Sequence, residues 1–246
     1  MPALPGFSGA QALFIMEVFM ETLPNGYTLE LSPDSFPLST DSMALAGFVR
    51  LPRNASVLDL GSGCGTLGLL LCSCDPNCRV TGIELNESSH AAALENIRRN
   101  HLEDRLFSIC ADLRNFPVPA GKSDICISNP PYFSGGAASR TVPLARRNDT
   151  CSTEDLFAAA SKALKFGGDF YLVHKPEKLA ELCAAASKHH LEPKKLCLVR
   201  HRPGSPVNLI LLQCRKGAKP GLLWDEWILR DESGEPTDLY RKLYHI

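Results

Sequence analysis

From residue 57 onward, short apolar runs alternate with longer stretches whose apolar positions recur at helical spacing. Val57–Leu60, Val80–Glu84, Leu106–Cys110, Ile125–Ser128, Phe170–His174, Leu196–Arg200 and Leu209–Cys214 read as strands. Thr66–Cys74, Ser88–Asn100, Glu154–Phe166 and Glu177–His190 read as the helices between them. Near-continuous apolar strands separated by amphipathic helices predict a parallel sheet covered on both faces. Gly167-Gly168 is expected to close the Glu154–Phe166 helix as a C-terminal cap. Only Arg202-Pro203-Gly204-Ser205-Pro206 separates the last two strands, too little chain for a parallel crossover, so that pair must be antiparallel. Before residue 57, Asn25-Gly26 predicts a tight hairpin between Val18–Leu23 and Tyr27–Leu31. Ser39 or Thr40 can then cap a helix over Met43–Val49. After residue 220, Trp224, Trp227 and Ile228 suggest a strand and Glu232–Pro236 a turn, read as an extension covering part of the core. The expected architecture is a Rossmann-like α/β sheet of seven strands with an antiparallel last strand. Residues 1–56 form a hairpin and helix packed on the core, 57–220 the main domain, and 221–246 a C-terminal extension of one globular unit.

Composition narrows the class only slightly. The 246 residues are 44% hydrophobic and 22% charged, which suits a globular protein with a sizeable core. The formal net charge of −1 excludes a chain-wide polycation and leaves room for a local basic patch. No apolar run approaches the ~20 residues of a membrane span. Ala10–Met20 is interrupted by Gln11 and Glu17 and lacks the marks of an export signal, so the expectation is a cytoplasmic protein with no membrane association. Most of the ten cysteines, among them Cys110, Cys126, Cys197 and Cys214, lie in apolar segments and read as small hydrophobes. Cys72, Cys74 and Cys78 lack the second ligand pair that a structural zinc needs, and no metal is expected.

The chemistry begins at VLDLGSGCG, residues 57–65, where a strand runs into Gly61, Gly63 and Gly65 and a helix follows. Glycines there allow a tight reversal and close approach of a ligand to backbone, with helix N-terminal amides facing it. No Gly-Lys-Ser/Thr follows, so the loop is not a P-loop. Glu84 ends the next strand, 19 residues beyond Gly65, where an acid can accept ribose hydroxyls. Asp112 follows the third strand and can receive an adenine amino group. A nicotinamide dinucleotide would satisfy the same three features. The G-x-G-x-G spacing favours S-adenosylmethionine instead, as does Asp59, a carboxylate suited to a cationic methionyl group and repelled by a pyrophosphate.

Strand four runs into Ser128-Asn129-Pro130-Pro131-Tyr132-Phe133. The prolines remove donors and stiffen the turn, leaving the Asn129 amide oxygen and the Pro130 carbonyl as acceptors for a planar –NH2 group. Tyr132 can stack on the plane that carries that nitrogen. VLDLGSGCG, Glu84, Asp112 and SNPPYF together resemble the class I methyltransferases that modify planar amino groups. The match is most similar to the valine-tRNA adenine-N6-methyltransferases, which act on the adenine just 3′ of the anticodon, position 37. It extends through FPLSTDSMAL, where Thr40 and Asp41 match a cofactor-side segment, and through HRPGSPVNLILLQCRKGAKPG and TDLYRKLYH, nearly the whole chain. The run Ala145-Arg146-Arg147-Asn148 departs from an expected Ala-Arg-His-Glu-like sequence.

The resemblance implies methyl transfer from S-adenosylmethionine to adenine N6 in a tRNA, with no obligate protein partner. Asn129, Pro130, Pro131 and Tyr132 would be catalytic. Thr40, Asp41, Asp59, Gly61, Gly63, Gly65, Glu84, Asp112 and Asn129 would hold the cofactor. Between Lys188 and Lys219 eight Lys or Arg stand against one acid, Glu192, a local balance of +7 that suits phosphate contacts. Phe133, Arg146, Arg147, Arg200, Arg202, Arg215 and Lys216 are the expected RNA-binding residues. Two other enzymes use similar chemistry: a release-factor glutamine-N5-methyltransferase and a ribosomal-RNA guanine-N2-methyltransferase. The first carries a separate helical domain before the glycine loop, where these 56 residues read as a hairpin and one helix. The second suits a Phe-His pair better than Tyr132-Phe133. A non-catalytic RNA-binding module would not need the intact acids and Asn-Pro-Pro-Tyr turn.

Overall fold

The computed structural model describes residues 19–32, 38–131 and 151–244. At their centre, hydrophobic strands with branched side chains form an eight-stranded sheet. The strands are β3 (Ser56–Leu60), β4 (Arg79–Glu84), β5 (Leu106–Cys110), β6 (Ser123–Ser128), β7 (Leu164–His174), β8 (Leu191–Arg200), β9 (Val207–Lys216) and β10 (Leu223–Ile228). Their spatial order is β10-β8-β9-β7-β6-β3-β4-β5. Strand β9 inserts between β7 and β8 and runs antiparallel to both, while the other pairings are parallel. The expected seven-stranded core is therefore present, and the tail adds an eighth strand, β10, along the β8 edge.

Helices cover both faces, as a mostly parallel sheet requires. One core gathers α1 (Thr40–Phe48), α2 (Thr66–Cys74) and α3 (Glu87–Arg99) over Val57, Val80, Ile125 and Tyr171. The other packs α4 (Thr153–Ala163) and α5 (Leu179–Lys188) over Leu58, Leu60, Cys126 and Leu172. Three of the helix starts, those of α1, α3 and α4, carry side-chain caps. The Ser39 hydroxyl accepts from the Ser42 amide at 3.3 Å, and the Asn86 side chain accepts from the Ser89 amide at 2.9 Å. Ser152 and Asp155 form a reciprocal capping box at α4.

Gly167-Gly168 do not end a helix. Helix α4 stops at Ala163 and the chain turns directly into β7, where both glycines lie. The register of β6 against β7 shifts at this point. A Cβ on Gly168 would lie 2.9 Å from the Asp124 carbonyl and 3.0 Å from that of Lys165, so close backbone approach, not helix capping, selects glycine there.

The flanking segments dock on this sheet. Strands β1 (Phe19–Thr22) and β2 (Thr28–Leu31) pair antiparallel around Asn25-Gly26, with Gly26 at φ +86°. Two asparagines, Asn96 of α3 and its C-cap Asn100, hold the hairpin. Asn100 Oδ1 accepts from Thr28 N at 2.9 Å, and Asn96 Oδ1 accepts from Glu30 N at 2.6 Å. The Asn96 Nδ2 donates back to Glu30 O and to Cys64 O, both at 2.9 Å, tying hairpin, helix and glycine loop together. At the other end of the chain, Trp227 of β10 packs edge-on to Phe48 at 5.9 Å, and Phe48 likewise to Tyr171 at 5.8 Å. Helix α6 (Asp238–Tyr244) lies against α1, with Leu243 over Gly47. Among the described residues, no helix is long and apolar enough to cross a membrane.

Candidate active site

Parallel strands expose their carboxyl ends on one side of the sheet, and ligands of such sheets bind there. β3, β4 and β6 are adjacent, so Leu60, Glu84 and Ser128 end side by side. The fully buried Ser128 hydroxyl donates to Leu60 O at 2.8 Å, locking the Asn-Pro-Pro turn to the base of the glycine loop. Gly61, Gly63 and Gly65 have φ of +75°, +55° and +83°, backbone that other residues rarely adopt. A Cβ at Gly61 or Gly63 would meet no atom within 4 Å, so the loop faces open space.

Glu84 braces this loop: Oε2 accepts from Gly63 N and Oε1 from Asn86 N, each at 2.7 Å. Two amide donors fix the carboxylate and leave lone pairs for ribose hydroxyls. Asp59 is the opposite case. It is 1% exposed, and neither carboxylate oxygen has a hydrogen-bond partner among the described residues. Burial, with a smaller contribution from Glu84, pushes its carboxyl up to about 8. A buried, unpaired acid beside an open glycine loop is the partner a cationic ligand group needs. Asp112 sits beyond β5 and is clasped by Arg114, whose Nε and Nη2 reach its two oxygens at 2.6–3.0 Å. That clasp holds the Asp112 carboxyl below its ordinary range. An adenine amino group would share this carboxylate with the guanidinium.

Helix α1 brings the N-terminal segment to the same place. Thr40 and Asp41 occupy its first turn, and the Thr40 hydroxyl lies 3.4 Å from that of Tyr244 on α6. Asn129 Nδ2 donates to the Ser42 hydroxyl at 3.1 Å, joining α1 to the turn after β6. Asn129 and Pro130 are half-buried and Pro131 exposed. The structure thus gathers Thr40, Asp41, Asp59, the three glycines, Glu84 and Asn129 at one end of the sheet, with Asp112 on the flanking strand. Tyr132, Phe133, Arg146 and Arg147 lie outside the described residues.

The expected basic face divides between two ends of the molecule. Arg200 and Arg202 lie at the carboxyl end of β8, on the side of Asn129. Arg200 bridges Glu226 at 2.6 Å, and Arg202 is exposed. Arg215 and Lys216 end β9, which runs the other way, and so lie at the amino ends of the parallel strands. Arg215 grips Asp169 at 2.8 and 3.0 Å. Lys216 donates to the Ser161 and Leu164 carbonyls at 2.5 and 2.9 Å, satisfying the last turn of α4. A cleft of about 680 Å3 lined by Arg50, Arg53, Leu71 and Asp75 also opens at that far end, away from Asn129. Among the described residues no group of three or more His, Cys, Asp or Glu could hold a metal.

Three residues escaped the sequence reading. Ser42 was visible only as part of an apolar-helix N-terminus, and nothing in its spacing marks a contact with Asn129, 87 residues away. Asn96 and Asn100, four apart at the end of α3, carried a detectable signal, because side chains at that spacing share one face and can both bind an adjacent backbone.

Residues 40–183 match the family model described as methyltransferase small domain. A tRNA1(Val) (adenine(37)-N6)-methyltransferase of Photobacterium profundum is 28% identical over 204 residues, 80% of this chain and 85% of that protein. A protein of the same name from Bacteroides fragilis is 29% identical over 215 residues, 84% of this chain and 90% of its own. Among solved structures, a "predicted O-methyltransferase" of Agrobacterium tumefaciens superposes with a TM-score of 0.71 at 23% identity, over 84% of this chain and 96% of that one. The T. thermophilus 16S rRNA N2 G1207 methyltransferase, bound to AdoMet and guanosine, gives a TM-score of 0.58 at 22% identity, over 81% of this chain and 50% of its own. At these identities the two structures speak to the fold.

Proposed function

The chain belongs to the methyltransferase small domain family, and as a methyltransferase that uses S-adenosylmethionine we propose that it methylates the exocyclic N6 of an adenine in tRNA. The substrate we favour is the adenine at position 37 of a valine tRNA, and the location the cytoplasm. One observation carries the reading: Asn129 and Pro130 follow β6 directly, tied through Ser128 to the base of the glycine loop, on the strand paired with β3 and its unpaired Asp59. The names of relatives that cover most of their length point the same way.

The residues divide the task. Asp59 faces the cationic methionyl portion, Gly61, Gly63 and Gly65 admit the ligand to the backbone, and Glu84 takes the ribose hydroxyls. Asp112 receives the adenine amino group of the cofactor, and Thr40 and Asp41 close its other side. When bound, S-adenosylmethionine supplies a methyl group already activated by a sulfonium, so the protein chiefly positions. Asn129 and Pro130 accept the two hydrogens of N6 and turn its lone pair outward, Pro131 keeps the turn rigid, and Tyr132 stacks on the base. The proton leaves N6 after transfer, and no side chain has to remove it beforehand. Phe133, Arg146, Arg147, Arg200 and Arg202 form the RNA-facing side of this reading.

The test is product analysis. Purified protein with labelled S-adenosylmethionine should yield N6-methyladenosine from unmodified valine tRNA and nothing from a peptide release factor. Methylglutamine from the release factor alone would overturn the RNA assignment, and N2-methylguanosine from ribosomal RNA would redirect it. Asn129→Ala should lose turnover while retaining cofactor binding.

A further inference from the structure

We infer that Ser42 is a positioning residue for this reaction, acting through Asn129 by fixing which end of its amide is presented to the substrate. The inference rests on the reading of Asn129 given above. An amide that receives an –NH2 group must present oxygen, and a half-turn about its last bond presents NH2 instead, donor against donor. That terminal torsion has no strong intrinsic preference, so the environment must choose the orientation.

Ser42 makes the choice. Its hydroxyl oxygen accepts from Asn129 Nδ2 at 3.1 Å, which directs Oδ1 to the opposite corner of the amide plane. The hydroxyl is itself held in place. Ser42 is the third residue of α1, only 8% exposed, and its own amide is bound by the Ser39 cap at 3.3 Å. The Ser39 hydroxyl lies 3.5 Å from that of Ser42. The two residues before Ser42, Thr40 and Asp41, belong to the proposed cofactor segment, so one helical turn aligns the methyl donor and the acceptor's hydrogen-bond partner together. The main alternative role for Ser42 is simply to stiffen α1.

Three variants separate these roles. Ser42→Ala should lower kcat on tRNA by about 10- to 100-fold, the scale that slight misplacement of a reacting group costs. Its Kd for S-adenosylmethionine by calorimetry should stay within about threefold, and its Tm within a few degrees. Ser42→Thr, which restores the hydroxyl, should recover most of the loss. Ser39→Ala removes the helix cap and the hydroxyl beside Ser42 but leaves the acceptor itself, so it should lower Tm and reduce kcat by less than Ser42→Ala does. Unchanged kcat in Ser42→Ala overturns the inference. So does a joint loss of kcat and cofactor binding in that variant, which would mean that α1 had loosened. Asn129→Ala tells the two readings apart: if it keeps turnover, the assignment of Asn129 has failed, whereas an inactive Asn129→Ala beside a fully active Ser42→Ala sinks only the role of Ser42.

Discussion

Burying a carboxylate with no partner is costly, and proteins escape the cost by keeping it protonated. Asp59 has taken that route, with its carboxyl raised to about 8. A raised carboxyl favours the fold fully below the ordinary carboxylate range, and the benefit is lost as pH climbs toward the raised value. Cofactor-free protein should therefore lose stability between about pH 4 and pH 8, other groups being equal. A cation seated against Asp59 reverses the preference, because the ionised form then has its partner. Binding of S-adenosylmethionine should release a proton near pH 7 and tighten as pH rises toward about 8. Calorimetry in two buffers of different ionisation heat reads that proton directly. Asp59→Asn should abolish the release and weaken binding by about tenfold or more, since one unit of pKa is worth a factor of ten. An affinity that stays flat across this range would show that the cofactor's charge lies elsewhere. The cysteines give the contrast: burial, the largest of several causes, pushes Cys72 to about 11 and Cys78 to about 12, and both lie within the hydrophobic core as packing groups.

Among the elements, α6 is the least conspicuous in sequence and yet reaches the site. Its Leu243 is 8% exposed and packs over Gly47 of α1, and its Tyr244 approaches Thr40. Tyr240 stacks on Tyr244 at 4.3 Å, with the Arg230 guanidinium 5.1 Å from the Tyr240 ring. Leu243→Ala should destabilise by about 2 kcal/mol, the lower end for a buried leucine because the site borders solvent. For a chain of this size that is a fall in Tm of about 4–8 °C. Hydrogen exchange should show α1 amides losing protection before those of β3 or β6, and equal loss everywhere would mean that α6 is not a local brace. The strands and α2 to α5 were legible because each is one strong periodic run. The tail was legible only as a strand and a cover, because its partners, β8 and α1, are distant in sequence. The Gly167-Gly168 pair was misread for the same reason. A glycine after a helix usually marks a cap, and only the approach of Asp124 and Lys165 carbonyls reveals the other cause. Within the site, the glycine loop, Glu84 and Asn129 were legible because backbone and hydrogen-bond needs restrict residue type at each. Ser42 was not, since a serine in the first turn of a helix already has a sufficient local reason to be there.

Over the whole molecule, composition counts charge and the fold decides where it acts. The +7 stretch read from sequence does not form one face. Asp169 lies opposite Arg215 in the sheet, five residues before His174 at the carboxyl end, or about 17 Å along β7. Asp225 and Glu226 of β10 meet Lys195 and Arg200 at 3.6 and 2.6 Å, neutralising part of the rest. Arg202, exposed in the loop between β8 and β9 on the same side as Asn129, is placed to meet a phosphate. Binding of tRNA should therefore weaken with salt, and Arg202→Ala should reduce the slope of log K against log salt by about one. Arg215→Ala should leave that slope unchanged and lower thermal stability instead, because it strands Asp169, which is largely buried beneath the guanidinium. Filter binding across a salt series with both variants decides the matter. Equal slopes lost at Arg202 and Arg215 would mean that the RNA wraps from one end of the sheet to the other, and that the contacts holding Arg215 and Lys216 open when it binds.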